Sequence, residues 1–132
     1  MDRFTGGCLC GAVRITATGR PNRSGLCHCF DCRKHHGTLF QAYAVFPAEA
    51  VTITGETGAF KDRHFCPRCG SSVFSRYGSG EEIEIPVGTL DAIDQIPPDY
   101  ELWTIRREGW LPPFPHMRRY EPDRPDTDAA SD

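Results

Sequence analysis

The residues best suited to chemistry are three cysteines within a stretch of six residues, Cys27, Cys29 and Cys32. In a β-strand alternate residues share a face, so Cys27 and Cys29 can point the same way, and a short turn can return Cys32 to them. Three convergent thiolates can bind one zinc ion, and a zinc with three protein ligands keeps a fourth position open for chemistry. If another residue completed the set, the site would instead be closed and structural. The other cysteines bear on this choice.

Four further cysteines form two close pairs, Cys8 with Cys10 and Cys66 with Cys69. Cys-x-Cys is the smallest spacing that puts two thiols on one face of a strand. The Cys-Pro-Arg-Cys-Gly segment of the second pair is typical of a zinc knuckle, because proline stiffens the turn and glycine allows a positive φ. All four could bind one zinc and clamp the start of the chain to its middle. The spacing leaves open a second arrangement, in which Cys66 and Cys69 join two of the three central cysteines.

Histidines close to the central cysteines are further candidate ligands. His28 lies between two of them and in a strand points the opposite way, so it is expected to pack or to orient the ligands. His35 or His36 could supply a fourth ligand to the same metal.

The elements that must position these residues are short strands. Apolar or alternating runs separated by glycine and proline predict a mainly β domain with little helix. The segment between the central cysteines and Gly37 predicts a turn or one short helical turn. The predicted strands cover residues 12–17, 23–29, 38–46, 51–54, 58–65, 71–77, 82–87 and 100–106.

Length and composition predict one domain with a modest core. The chain has 132 residues, of which 39% are hydrophobic, so metal crosslinks would contribute usefully to its stability. Residues 121–132 are acidic, rich in proline and without large aliphatic side chains, which predicts a disordered tail. A single zinc-binding domain over residues 1–120 is therefore expected.

Charge and cysteine usage narrow the cellular context. A net charge of −3 argues against nucleic acid as a partner. The sequence shows neither an apolar run of membrane-spanning length nor the apolar segment of a signal peptide, so a soluble cytoplasmic protein is expected. The cytosol keeps thiols reduced, and seven cysteines cannot all pair in disulfides. Division into four and three predicts two zinc ions per chain.

Four motifs together resemble the glutathione-dependent formaldehyde-activating enzyme family, also called the CENP-V/GFA family, over about residues 4–120. The resemblance implies an Mss4-like β-tent, in which antiparallel sheets are pinned by zinc. It further implies that Cys8, Cys10, Cys66 and Cys69 bind a structural zinc and that the central three bind the active-site zinc. The motifs are Gly7-Cys8-Leu9-Cys10-Gly11, Cys27-His28-Cys29 with Cys32-Arg33-Lys34 and Gly37, Phe65-Cys66-Pro67-Arg68-Cys69-Gly70, and Val87-Gly88-Thr89-Leu90-Asp91.

The activity implied by the resemblance is the addition of formaldehyde to glutathione, giving S-hydroxymethylglutathione, formally the work of a carbon–sulfur lyase. An open zinc would hold the glutathione sulfur as thiolate at neutral pH. Glutathione also carries two carboxylates, and Arg33 and Lys34 beside the last ligand are candidate anchors for them. Adjacent charges of this kind are also common on a solvated surface.

Two other functions compete with this one. A zinc-stabilised binding or chaperone module without catalysis needs only the closed site, so three further thiols argue against it. Methionine sulfoxide reductases also use a zinc-pinned β-tent, but they need a reactive cysteine late in the chain, and none follows Cys69. The His35-His36 pair departs from the family's pattern, where bulkier apolar or small residues are expected.

Overall fold

The polypeptide forms two β-sheets and one short α-helix, and the computed structural model describes residues 1–125. The helix α1 spans Phe30–His36, and single 3₁₀ turns span Ala48–Ala50, Val87–Thr89 and Thr104–Arg106. The strands are β1 (Arg3–Gly7), β2 (Arg14–Thr18), β3 (Arg23–Cys27), β4 (Gln41–Pro47), β5 (Val51–Thr54), β6 (Gly58–Phe60), β7 (Arg63–Phe65), β8 (Ser72–Tyr77), β9 (Glu82–Pro86), β10 (Tyr100–Leu102) and β11 (Arg118–Arg119).

The mainly β architecture with little helix is confirmed, and the differences from prediction are local. The predicted strand 58–65 is a hairpin, because Lys61 and Asp62 adopt positive φ angles of 50° and 62° and reverse the chain. The predicted strand 100–106 ends early, since Trp103 is left-handed with a φ of 57°. Helix α1 ends at Gly37, as predicted, and Gly37 is also left-handed.

The strands pair into a small sheet, in the order β1-β2-β5, and a large sheet, in the order β11-β10-β3-β4-β9-β8-β7-β6. All pairs among β1 to β9 are antiparallel, as expected. At one edge, however, β10 runs parallel to both β3 and β11. The long connection from β9 lets the chain re-enter the sheet in this direction, next to the strand that ends at Cys27.

One face of the large sheet is apolar and forms the core with the small sheet. Ala44 lies opposite Ile85 and Phe46 lies opposite Ile83, so these side chains share that face. Each fully buried large side chain contributes about 1.5–3 kcal/mol. The layer is completed by the buried side chains of Phe4, Val13, Ile15, Ala17, Val73 and Phe74.

The opposite face of the large sheet carries buried polar groups next to a second apolar cluster, which includes Tyr43, Val45 and Tyr100. Cys27 lies opposite Gln41, while Glu84 lies opposite Ser75, which in turn lies opposite Arg63. The residue of β4 that pairs with Glu84 lies four positions after Gln41. Side chains an even number of positions apart in a strand point to the same face, so all these side chains share one face of the sheet. Gln41 and Glu84 are each only 3% exposed. Helix α1 contacts β4, so the sheet and the helix meet near Cys27.

The end of the chain packs on the body as far as it is described. The Trp103 backbone N–H donates to the carbonyl of Pro122 over 3.0 Å, and Arg124 is 9% exposed with its guanidinium 4.9 Å from the Tyr100 ring. The rest of the predicted tail, residues 126–132, lies outside the described residues, and the domain boundary near residue 120 stays a prediction. Within residues 1–125 no helix has the length and apolarity that a bilayer crossing needs.

Candidate metal centres

Four cysteine sulfurs meet where the first turn of the chain touches the loop between β7 and β8. The Sγ atoms of Cys8, Cys10, Cys66 and Cys69 all lie within 4.8 Å of one another. The Cys8–Cys10 and Cys10–Cys66 sulfur distances are 3.6 and 3.7 Å. A zinc ion with four thiolates at about 2.3 Å in a regular tetrahedron has S–S edges of about 3.8 Å. The donor set and its spacing therefore fit a closed, four-coordinate zinc.

Local backbone geometry supports this first cluster. The Val13 N–H donates to Cys8 Sγ over 3.2 Å, and Ser71 Oγ lies 3.2 Å from Cys69 Sγ. Gly70 has a positive φ of 81°, as predicted, and its N–H donates to the Cys66 carbonyl over 2.8 Å rather than to a sulfur. Cys66 itself is fully buried. A metal held here would crosslink the two sheets and leave no coordination position for a substrate.

Three cysteine sulfurs meet at a second place, between the end of β3 and the start of α1. Cys27 ends β3, Cys29 is the N-cap residue of α1, and Cys32 lies in its first turn. The three Sγ atoms lie within 4.8 Å of one another, and among the described residues no His, Asp or Glu atom joins them. The Cys32 N–H donates to Cys29 Sγ over 3.3 Å, so the helix start fixes the thiol. These residues form a three-sulfur cluster that is not closed.

The acid–base properties of the three-sulfur cluster also fit a cation. Hydrogen bonds from Cys27 and Cys32 lower the pKa of Cys29 to about 2, which favours the thiolate form of this sulfur. The hydrogen bond to Cys29 in turn raises the pKa of Cys27. At Cys32 the hydrogen bond with Cys27 acts the other way, but Cys29 and burial raise its pKa to about 12. Three adjacent thiolates repel one another, and a divalent metal is what would let all three ionise.

His28 is fully buried and points away from the sulfurs toward the edge of the sheet. Its Nε2 lies 2.8 Å from Glu101 Oε1, and its Nδ1 has no hydrogen-bond partner among the described residues. Arg107 and Arg119 donate to the same carboxylate over 3.2 and 3.1 Å. The backbone N–H of His28 donates to the Leu102 carbonyl. This network fastens the segment that carries two of the sulfurs to β10.

His35 and His36 lie near the three sulfurs without joining them. His35 Nε2 is 3.3 Å from Ser72 Oγ, which links α1 to β8. His36 Nε2 is buried with no partner among the described residues, and burial lowers the pKa of His36 to about 4. A neutral imidazole is the form that binds metal, yet neither ring nitrogen lies within the sulfur cluster.

Arg33 and Lys34, the predicted carboxylate anchors, differ in their surroundings. Arg33 donates to the Glu108 carboxylate over 2.5 Å and is half-buried, so its charge is already compensated. Lys34 is exposed. Both line a surface cavity of about 690 Å³ together with Phe30, Gly37, Thr38 and Leu39.

Sequence reasoning missed the polar groups of the sheet face beside the three-sulfur cluster. Gln41 Nε2 and the Tyr77 hydroxyl donate to the two oxygens of Glu84 over 2.9 and 2.5 Å, and burial raises the pKa of Glu84. Gln41 Oε1 is buried without a partner among the described residues. Burial opposes the charge of Arg63, but Cys32 and Glu84 outweigh it and raise the pKa of Arg63. The alternation of Glu82-Ile83-Glu84-Ile85 marks a polar face but not which cluster it meets.

Comparison with known proteins adds independent information. The sequence model of the glutathione-dependent formaldehyde-activating enzyme family matches residues 3–106. An uncharacterized lyase of Schizosaccharomyces pombe is 28% identical over 86 residues, which is 61% of this chain and 63% of that protein. A Podospora anserina protein with the provisional name glutathione-dependent formaldehyde-activating enzyme is 30% identical over 125 residues, 85% of this chain and 54% of its own length. A similarly named Fusarium vanettenii protein is 30% identical over 103 residues, 68% of this chain and 53% of that protein.

The fold is shared with a protein of known structure. The crystal structure of a Rhodobacter sphaeroides protein superposes with a TM-score of 0.54 at 24% identity, over 68% of this chain and 90% of that one. The mainly β fold agrees with the Mss4-like architecture that the sequence resemblance implies. The chain spans between half and two thirds of the length of these curated relatives. The family match extends across both cysteine clusters, and the chain belongs to the glutathione-dependent formaldehyde-activating enzyme family.

Proposed function

We propose that the protein is a zinc-dependent enzyme that joins a small thiol to an aldehyde at the three-sulfur cluster. Glutathione and formaldehyde are the pair suggested by the family, with S-hydroxymethylglutathione as product, and cleavage of that product is the carbon–sulfur lyase direction. The observation that carries the proposal is a second group of sulfurs, Cys27, Cys29 and Cys32, which lacks a fourth protein ligand among the described residues. A binding module held together by zinc would need only the closed group of four.

The two clusters would divide the metal chemistry between them. Cys8, Cys10, Cys66 and Cys69 would hold a structural zinc, and the three-sulfur cluster a second ion, giving two per chain. A zinc at the second cluster would keep the sulfur of an incoming thiol deprotonated at neutral pH, where a free thiol with a pKa near 8.5 is mostly protonated. A reducing compartment such as the cytoplasm suits these seven free cysteines.

The side chains of this protein would position the reactants. In the forward direction the thiolate sulfur attacks the aldehyde carbon, a C–S bond forms and the C=O π bond breaks. The oxygen takes up one proton from water, which balances the proton that the thiol released when it ionised. The unpartnered Gln41 Oε1 lies on the face beside the sulfurs and can accept a hydrogen bond from the hydroxyl that forms, while the Tyr77 hydroxyl already donates to Glu84. Held together, the reactants need no encounter in solution.

Thiol binding is the direct test of this function. Protein reconstituted with Co²⁺ gives a sulfur-to-metal charge-transfer band, and we expect glutathione to change that band in wild type but not in Cys29→Ser. Serine preserves the N-cap of α1, so this variant separates loss of a ligand from loss of the helix start. Formation of hydroxymethylglutathione from ¹³C-formaldehyde, followed by NMR, then measures turnover above the spontaneous rate. An unchanged cobalt spectrum at millimolar glutathione would contradict the proposal.

A further inference from the structure

Arg63 has no carboxylate partner among the described residues, whereas three other arginines that are shielded from solvent each have one. It is half-buried on β7, and no carboxylate of the described residues lies within 4.0 Å of its guanidinium nitrogens. A guanidinium withdrawn from water ordinarily acquires an anionic partner, because desolvating an unpaired charge is costly. Three other shielded arginines each have one, in the pairs Arg23–Glu82, Arg33–Glu108 and Arg107–Glu101.

The surroundings of Arg63 form a groove rather than a closed core. A cavity of about 280 Å³ lies between helix α1 and the β6–β7 hairpin. Lys34 and Lys61 are both exposed at its walls, and Asp31 is its only carboxylate among the described residues. Three permanent cations therefore face one anion across a space open to solvent. The lining residues are Asp31, Lys34, His35, Phe60, Lys61 and Arg63.

The groove opens beside the three-sulfur cluster. Asp31 and His35, which line the groove, flank Cys32 on α1, and Arg63 interacts electrostatically with Cys32. Arg63 also lies on the sheet face that carries Gln41 and Glu84. A ligand whose sulfur reaches the cluster can therefore extend its far end over Arg63 into the groove.

We propose that this groove is an anion subsite, in which Arg63, assisted by Lys34 and Lys61, binds a carboxylate of the thiol whose sulfur is held by the three-sulfur cluster. The inference rests on the proposed function and names its substrate class, a small thiol that carries a carboxylate some distance from the sulfur. The planar guanidinium can bind a carboxylate through two parallel hydrogen bonds, and the two lysines add flexible positive charge.

The test compares glutathione with its diethyl ester, in which both carboxylates are neutralised and each carries an ethyl group. Each is titrated calorimetrically into the zinc-loaded full-length chain. We expect wild type to bind glutathione at least tenfold more tightly than the ester, since a charge-assisted bidentate pair is worth about one order of magnitude or more. Arg63→Gln should lose most of this ratio with the ester affinity unchanged. Arg3→Gln, at an exposed position of β1 in the other sheet, is the matched control and should keep the ratio.

Each other result has a definite meaning. Equal affinity of wild type for both ligands would overturn the subsite and leave the thiol-binding function standing. A loss of affinity for both ligands in Arg63→Gln would show that Arg63 acts on the metal cluster, which also overturns the subsite. Binding of neither ligand by wild type would refute the proposed function and the subsite together. If Arg63→Gln does not fold, the Lys34→Gln/Lys61→Gln double variant, altered only at exposed positions, must reduce the ratio.

Discussion

Replacing Glu101 by Gln should weaken the attachment of the three-sulfur cluster to the sheet. The Glu101 carboxylate is fully buried and accepts hydrogen bonds from His28, Arg107 and Arg119. His28 lies between Cys27 and Cys29, so the carboxylate fixes the position of both sulfurs. Glutamine preserves the shape of the side chain but removes its charge and turns one acceptor into a donor that faces a donor.

The magnitude follows from which partners are withdrawn from water. Removing one partner of a buried ion pair costs about 3–5 kcal/mol, because the remaining charge stays desolvated. Arg107 is 12% exposed and contributes most of this cost, whereas Arg119 is 45% exposed and contributes little. Since glutamine keeps one acceptor, we expect a loss near the lower limit, about 3 kcal/mol. For a domain of this size the melting temperature should fall by roughly 10 °C.

Urea unfolding of zinc-loaded protein at pH 7 measures this loss. Glu49→Gln is the control, because Glu49 is exposed and its replacement should change the free energy of unfolding by less than about 0.5 kcal/mol. A second assay follows transfer of zinc to a coloured chelator, and in Glu101→Gln one of the two zinc ions proposed above should leave faster than in wild type. A loss below about 1 kcal/mol, with unchanged zinc release, would refute the role assigned to Glu101.

Three further predictions concern pH, the two clusters and one close contact. Burial opposes the charge of Glu101, but hydrogen bonds from His28 and both arginines outweigh it and hold the pKa of Glu101 below its ordinary value. The ionised carboxylate therefore stabilises the fold fully above the unfolded pKa of about 4.3, and this contribution is lost as the pH falls through the lower folded pKa. The difference in unfolding free energy between wild type and Glu101→Gln should accordingly shrink below about pH 4. Cys66→Ala should lose the fold, measured by circular dichroism, while Cys29→Ser should keep it. Zinc contributes on the order of 10 kcal/mol of folding energy in small domains, and only the first cluster joins the two sheets. Equal unfolding of both variants would contradict this division. Gly25→Ala should lower the free energy of urea unfolding by about 1–3 kcal/mol, because the added Cβ would lie 2.6 Å from the Tyr100 ring. Gly88→Ala is the control: its Cβ would have no heavy atom within 4 Å, so an equal loss in that variant would contradict the role of the contact.

The cysteine groups could be predicted because their logic is local. Cys27 with Cys29, and Cys66 with Cys69, lie at spacings that force neighbouring sulfurs together, and resemblance to a family supplied the division into four and three. The structure groups the sulfurs in this way, and their roles as metal ligands stay a prediction. Gly37 ends the helix as predicted, since few residues other than glycine adopt the left-handed conformation at such a position.

The surroundings of the three-sulfur cluster could not be predicted because they depend on contacts distant in sequence. Glu101 meets His28 only because β10 returns parallel to β3, and no local pattern encodes that pairing. The register of β7, β8 and β9 brings Arg63 and Glu84 to the face that carries Cys27. A shift of one residue would have put both on the core face. Strand β1 was also missed, because its two glycines hide the alternation of a strand.

Zinc content per chain, measured on protein purified under reducing conditions, tests the central claim most directly. Wild type should contain two zinc ions, and Cys29→Ser, which keeps the first cluster intact, should contain one. One zinc in wild type, or the same content in both proteins, would show that Cys27, Cys29 and Cys32 do not hold a metal, and the proposed thiol chemistry would then be wrong.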